Sequence, residues 1–239
     1  MAKKKGNDSN FEGIDVQSQD FFNELCKDTG FELVTENEVM NGRDKTPTPF
    51  YVLNCILGGG LPLGIQAEIA GNPASGKSTF SYASAGDFLR KYPNGVVAVL
   101  DLEDSLDLVR LQQLGVDTKR VLRLPSISLE NAFENLFKIL KKMASAKEAS
   151  KEDLKLFVIY DSLDAGGTDK QHAQIEQGGS AFGFGGGMME KPRLLKANTG
   201  AVPRYLEDID AVVLYLNQVS TQGIGGYVQT TDSTGRLSV

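Results

Sequence analysis

Nine residues, GNPASGKST at 71–79, fit the pattern G-x-x-x-x-G-K-[ST], whose chemistry is the grip of a nucleoside triphosphate. The loop through Gly71, Asn72, Pro73, Ala74, Ser75 and Gly76 can curl its backbone N–H groups round phosphate oxygens, and the helix it opens adds a dipole that favours anions. The Lys77 ammonium suits the β- and γ-phosphates, the Ser78 hydroxyl suits Mg²⁺, and Thr79 stands close enough to help hold the α-phosphate.

Three strand ends supply the polar groups that such a loop lacks. LFVIYD at 156–161 ends in Asp161, a carboxylate at the carboxyl end of a buried run, where open α/β sheets bind their ligands. Asp161 is assigned to the Mg²⁺ shell through water, with Ser162 beside it; a helix-capping acid is the plain alternative. VAVLDLED at 97–104 offers Asp101, Glu103 and Asp104. Phosphoryl transfer to water depends on positioning and electrostatics, so an acid here can orient the attacking water. Glu103 is the chosen base, although by spacing alone Asp101 competes and either acid could be structural. VVLYLNQV at 212–219 delivers Asn217 and Gln218, two amides able to hydrogen-bond a γ-phosphate or, more plainly, to make a turn.

These side chains can meet only if strands carry them to one edge. An apolar run at 65–70 feeds the glycine loop, and a helix at 78–91 ends before Pro93. The stretch 96–102 is nearly all apolar, as a strand covered on both faces must be. A helix at 104–114 closed by Gly115, a strand at 121–124 and a helix at 129–143 with Phe133, Leu136, Phe137 and Leu140 on one face follow. The Lys- and Glu-rich continuation, 141–155, is expected to project into water. Buried-type strands at 156–160 and 211–216 flank a long segment that contains FGFGGG at 182–187. Alternating strands and helices predict an α/β fold, a mainly parallel sheet flanked by helices. Ahead of it, residues 1–18 are polar, Phe21, Phe22, Leu25 and Cys26 recur at helical spacing, and 41–49 reads as a linker. A polar, glycine-rich tail occupies 222–239.

Composition narrows the function classes. The 239 residues are 41% hydrophobic and 23% charged, which suits one sizeable core. A net charge of −6 and a pI near 5.0 argue against coating nucleic acid indiscriminately, though not against a local basic groove. Two cysteines and a single histidine, His172, exclude a Cys/His zinc site and a disulfide scaffold. No stretch of about 18 apolar residues occurs, and the basic start lacks an apolar region behind it, so no membrane association and a cytoplasmic location are expected.

In their order along the chain, the P-loop, the strand-end Glu, the strand-end Asp and the Asn-Gln pair resemble the RecA-type recombinases. The longer string LNCILGGGLPLGIQAEIAGNPASGKST at 53–79 is similar to the family's segment in which a Gly-Gly-Leu-Pro-x-Gly turn precedes the strand and P-loop. The resemblance implies a RecA-like P-loop NTPase core with a twisted, mainly parallel sheet, ATP and Mg²⁺ as cofactors, and DNA-dependent ATP hydrolysis. It places Glu103 on the catalytic glutamate, Asp107 on an acid near the adenine, and Gln218 on the glutamine that senses γ-phosphate. Arg110 stands where bacterial members carry an aromatic that stacks on the base.

The resemblance also implies single-stranded DNA on two loops, within 177–187 and 221–236, a homologous duplex as second partner, and a helical homo-oligomer in which the segment around Phe21–Cys26 docks on a neighbour. Candidate DNA contacts are Phe182 and Phe184 among glycines, Lys191 and Arg193, with Lys196 and Arg204 nearby, and Arg236 in the second loop. The 182–187 run is closer to phage-encoded relatives than to bacterial ones, which would place the protein in a bacterial host. The expected organisation is an oligomerisation segment and linker over 1–47 and an ATPase core over 48–239, truncated after the second loop. The leading reading is an ATP-dependent recombinase active in strand exchange and repair. Alternatives are a nucleotide-binding regulatory or scaffold protein on the same fold, or a hexameric helicase-type motor.

Overall fold

Residues 19–29, 42–176, 187–206, 208–224 and 227–231 are described by the structure, a computed structural model. The chain divides into two compact units, Met1–Arg43 and Asp44–Val239. In the first, α1 (Gln19–Thr29) realises the amphipathic spacing of Phe21, Phe22, Leu25 and Cys26, with Asp20 in its first turn and Lys27 in its last, each complementing the helix dipole.

The second unit opens with β1 (Lys45–Thr46), α2 (Tyr51–Ile56) and β2 (Leu61–Pro62), and β1 pairs antiparallel with β2. The 41–49 stretch read as a linker therefore contains a strand. Gly60 makes this turn possible: its φ is +128°, and a Cβ there would lie 2.0 Å from the Thr46 carbonyl oxygen. Lys45 completes the corner, its ammonium donating to the Leu57 and Gly58 carbonyls at 3.0 and 2.9 Å where α2 ends.

Then follow β3 (Ile65–Gly71), α3 (Lys77–Lys91), β4 (Gly95–Asp101), α4 (Leu108–Gln113), β5 (Val121–Pro125), α5 (Leu129–Ser150), β6 (Lys155–Asp161), α6 (Asp169–Glu176), α7 (Gly187–Ala201), α8 (Pro203–Leu206) and β7 (Ala211–Gln218). Five strands form one parallel sheet in the order β3-β7-β6-β4-β5. This is the α/β core that the alternating pattern predicts. A separate antiparallel hairpin, β8 (Ser220–Ile224) with β9 (Tyr227–Thr231), lies in what reads as a polar tail.

Strand alternation sets the two layers. On one face Ala98, Leu100, Leu156, Val158, Tyr160, Val213 and Tyr215 pack on Phe133, Leu136 and Leu140 of α5 and on Leu195 of α7. On the other, Val97, Val99, Phe157, Ile159, Val212, Leu214 and Leu216 pack on Tyr82, Ala85, Phe88 and Leu89 of α3. Register brings the strand ends into line, with Gly71 beside Gln218 and Asp101 beside Asp161.

Two boundaries differ from expectation for identifiable reasons. The helix expected from 104 begins only at Leu108, because Asp101 captures the backbone N–H groups of Ser105 and Leu106 at 3.0 and 3.2 Å. The helix from 129 runs to Ser150 and stops at Lys151 in the left-handed region. Lys155, expected in solvent, starts buried β6, its charge met by Asp153 at 2.8 Å and Asp210 at 3.6 Å. Among the described residues no helix is long and apolar enough to cross a membrane.

Candidate active site

At the carboxyl edge of the sheet, β3 leaves through Gly71 into the loop and re-enters as α3. Gly76 caps that helix at φ +90°, and Ala74 also sits at positive φ, +60°. A Cβ on Gly76 would meet nothing within 4 Å, so backbone conformation rather than crowding requires glycine, and the space beside it stays open. A Cβ on Gly71 would come within 2.8 Å of Ser75 Oγ. The loop is thus a bare cradle of backbone at a helix start, which suits phosphate.

A cavity of about 400 Å³ lies over the loop. Pro73 through Thr79 line it together with Glu103, Asp161, Ser162 and Gln218. Four separate strand ends, far apart in sequence, therefore meet at one place. Lys77 Nζ donates to the Gly71 and Asn72 carbonyls at 3.0 and 2.9 Å. Ser78 Oγ donates to Asp161 Oδ2 at 3.0 Å.

Asp161 is 3% exposed. Burial raises its carboxyl above the ordinary aspartate range; the Ser78 hydroxyl and Lys77 oppose this, while Glu103 and Asp101 add to it. Two carboxylates, Glu103 and Asp161, and one ammonium line the cavity, and they would disfavour a triphosphate unless a cation entered with it. The donor set fits Mg²⁺, which takes hard oxygens from one or two protein side chains and the rest from phosphate and water. Among the described residues no group of three or more His, Cys, Asp or Glu is arranged to hold a metal alone, so phosphate oxygens would have to complete the shell.

The two acids at the end of β4, Asp101 and Glu103, occupy different environments. Asp101 is buried, its carboxylate accepting from Ser105 N, Leu106 N and Arg123 Nε, the last at 3.0 Å. Arg123 also pairs with Asp104. Glu103 is exposed on the cavity wall, where Ser162 Oγ donates to its Oε1 at 2.6 Å and Gln218 Nε2 approaches the same oxygen at 3.4 Å. The Asp161–Ser162 peptide is cis. Asn217 is fully buried and donates to Glu68 Oε1 at 2.6 Å, turning away from its neighbour's site.

The other expected residues that the structure describes are not among those lining the cavity. Asp107 is the N-cap of α4, Oδ1 accepting from Val109 N and Arg110 N at 2.8 and 3.3 Å. Lys191 is half-buried: its ammonium donates to the Asp164 carbonyl at 2.7 Å, and burial holds its pKa below the ordinary lysine value against the pull of Asp164. Arg193, Lys196 and Arg204 are exposed. Phe182, Phe184 and Arg236 lie outside the described residues.

Sequence reasoning missed three contacts: the Ser162–Glu103 bond, the Arg123 anchor on Asp101, and Arg110 Nη2 donating to Thr79 Oγ1 at 3.2 Å. The register signal for the second is readable afterwards, since Arg123 on β5 pairs with Val99, two residues before Asp101.

Comparison with known proteins gives this edge its kinship. The RecA protein of a Nitratiruptor species is 29% identical over 178 residues, covering 74% of this chain and 46% of that protein. The RecA protein of Helicobacter hepaticus is 29% identical over 194 residues, 80% of this chain and 51% of that one. The recombination and repair protein of Enterobacteria phage T4 is 29% identical over 133 residues, 54% of this chain and 32% of that one. The chain spans about half or less of the length of these relatives. The family model for the RecA N-terminal domain matches residues 25–236, most of the sequence, and the chain belongs to that family.

Proposed function

We propose that the chain is the ATPase core of an ATP-dependent DNA recombinase, one that assembles as a filament on single-stranded DNA and promotes pairing with a homologous duplex. The observation that carries this reading is the convergence of Lys77, Ser78, Asp161, Glu103 and Gln218 on one cavity. The kinship with recombination and repair proteins supports the biological role.

In this reading the loop N–H groups and Lys77 hold the β- and γ-phosphates of ATP, and Ser78 and Asp161 hold Mg²⁺. The bound ion supplies a Lewis acid that neutralises charge on the phosphate oxygens. Glu103 orients the attacking water and takes its proton, the new P–O bond forms at the γ-phosphorus, and ADP departs with the electrons of the broken bond. Ser162 steadies Glu103 by donating to it. Gln218 shares that carboxylate oxygen and stands two residues ahead of β8, so a change at the γ-phosphate reaches the hairpin behind it. The 177–187 and 221–236 segments, with Arg193, Lys196 and Arg204 nearby, are the proposed DNA contacts, and α1 the proposed docking segment for a neighbour. Location in the cytoplasm of a bacterial host belongs to the same reading.

Lys77→Ala tests it. Fluorescence anisotropy of labelled single-stranded DNA should show ATP-dependent assembly by the native chain and none by the variant. Assembly that is unchanged in the variant refutes the mechanism.

A further inference from the structure

β7 ends in two amides that face opposite ways. Strand alternation puts Gln218 with Leu214 and Leu216 on the α3 side, where it lines the phosphate cavity, and Asn217 with Val213 and Tyr215 on the α5 side. Asn217 is fully buried, and its Nδ2 donates at 2.6 Å to Glu68 Oε1 across the β3–β7 ladder, in which Ala70 lies beside Asn217. A carboxylate only accepts, so this bond fixes the orientation of the amide and leaves Oδ1 where no described group meets it. Glu68 is exposed and forms no ion pair among the described residues, and neither it nor Asn217 lines the cavity.

A buried amide with an unpaired carbonyl costs stability that an apolar residue at 217 would not. The position of Asn217 supplies a use for it. Beyond Gln218 the chain stays with β3 through Val219 N, which donates to the Gly71 carbonyl at 3.2 Å, and β8 begins at Ser220. Tilting the peptide that joins residues 217 and 218 moves both side chains together. An anchor on Asn217 therefore fixes the direction of Gln218, whose Nε2 lies 3.4 Å from Glu103 Oε1.

We propose that Glu68 is a positioning residue of the nucleotide site: through Asn217 it holds the end of β7 so that the Gln218 amide faces Glu103 and the γ-phosphate. This rests on the coupling role given to Gln218 and names the part that makes the coupling stiff. With the anchor in place a displacement of Gln218 passes along the backbone to β8; without it the end of β7 absorbs the displacement.

The test compares ATP hydrolysis with and without single-stranded DNA for the native chain, Glu68→Gln, Glu68→Leu, Asn217→Leu, the double variant Glu68→Leu/Asn217→Leu and Gln218→Ala, with a circular dichroism melt of each. Glu68→Leu should lower the stimulation by DNA roughly fivefold or more, the scale of a coupling between two sites, with KM for ATP within about twofold of the native value because neither residue touches the cavity. Glu68→Gln keeps an acceptor oxygen and should retain most of the stimulation. Asn217→Leu and the double variant should lose as much stimulation as Glu68→Leu and no more, because all three break the same bond. Both should melt no lower than the native chain, because the buried amide has gone together with its unpaired carbonyl. A residue serving stability alone would lose stimulation only where it loses Tm. Native-like stimulation in the double variant overturns the proposal and leaves the reading of Gln218 intact, provided Gln218→Ala has lost its stimulation. Glu68→Gln as defective as Glu68→Leu also overturns it, by showing that the charge and not the bond to Asn217 matters. If the native chain is not stimulated by DNA, or Gln218→Ala still is, the coupling itself fails and the proposal falls with it.

Discussion

Replacing Asp101 by Asn should destabilise the core, whereas replacing Glu103 by Gln should leave it standing and stop its chemistry. Asp101 has a side chain only 2% exposed, and its two oxygens serve two backbone N–H groups and Arg123. An amide keeps one acceptor oxygen and presents its NH₂ to donors on the other side, so at least one charge-assisted bond is lost and one donor is opposed. Hydrogen bonds to charged groups contribute roughly 1.5–3 kcal/mol each. Arg123, with 42% of its side chain exposed, can rehydrate. The net cost is therefore about 2–3 kcal/mol, and a domain of this size loses about 2–4 °C in Tm per kcal/mol, or about 4–12 °C in all. Glu103 is exposed, so its amide variant should shift Tm by less than about 2 °C. Its ATP turnover should fall by about 10²–10⁴, the usual contribution of a positioned base. Melting by circular dichroism and phosphate release by coupled assay, run on the same preparations, separate the two roles. If Glu103→Gln melts early while Asp101→Asn is stable and inactive, the assignment of the two acids is wrong.

Gly60→Ala should cost about 2–4 kcal/mol, since the new Cβ would meet the Thr46 carbonyl and the φ is unfavourable for any L side chain. Urea denaturation showing a loss under about 1 kcal/mol would contradict that contact. Asp44 gives a pH dependence. Burial works to raise its carboxyl, but bonds from Lys91, Tyr92 and the Lys45 N–H outweigh it and leave the pKa below the ordinary 3.8. A carboxyl lowered on folding stabilises the fold above its unfolded value, and that stability disappears as pH falls through the folded value. Below about pH 4 the native Tm should therefore drop more steeply than that of Asp44→Asn, and parallel curves would rule the contribution out. Gln218→Ala should keep ATP hydrolysis without DNA within about threefold while losing most of its stimulation by single-stranded DNA; a variant still stimulated as the native chain is would remove Gln218 from the coupling.

The sheet was legible because its central strands are apolar on both faces and the helices follow the opposite period. Strand-end residues could be matched to one edge because a parallel sheet sends every carboxyl end the same way, and so Asp161, Glu103 and Gln218 fell together. What could not be read was which acid turned inward. Asp101 and Glu103 lie two apart, and the deciding partner, Arg123, is distant in sequence and adjacent only through the β4–β5 register. The same limit hid the Arg110–Thr79 contact, made between two helices. The shortened start of α4 was missed because a side chain, not a propensity, competes for its N–H groups. Lys155 was misplaced because its composition matches an exposed helix, while its ion pairs come from Asp153 and Asp210.

The most direct test of the account is the rate of phosphate release from ATP with and without single-stranded DNA, for the native chain and for Glu103→Gln. A clear rise with DNA in the native chain and no hydrolysis in the variant is the predicted result. Hydrolysis indifferent to DNA, or equal in both proteins, would contradict a γ-phosphate site coupled to a DNA-binding surface.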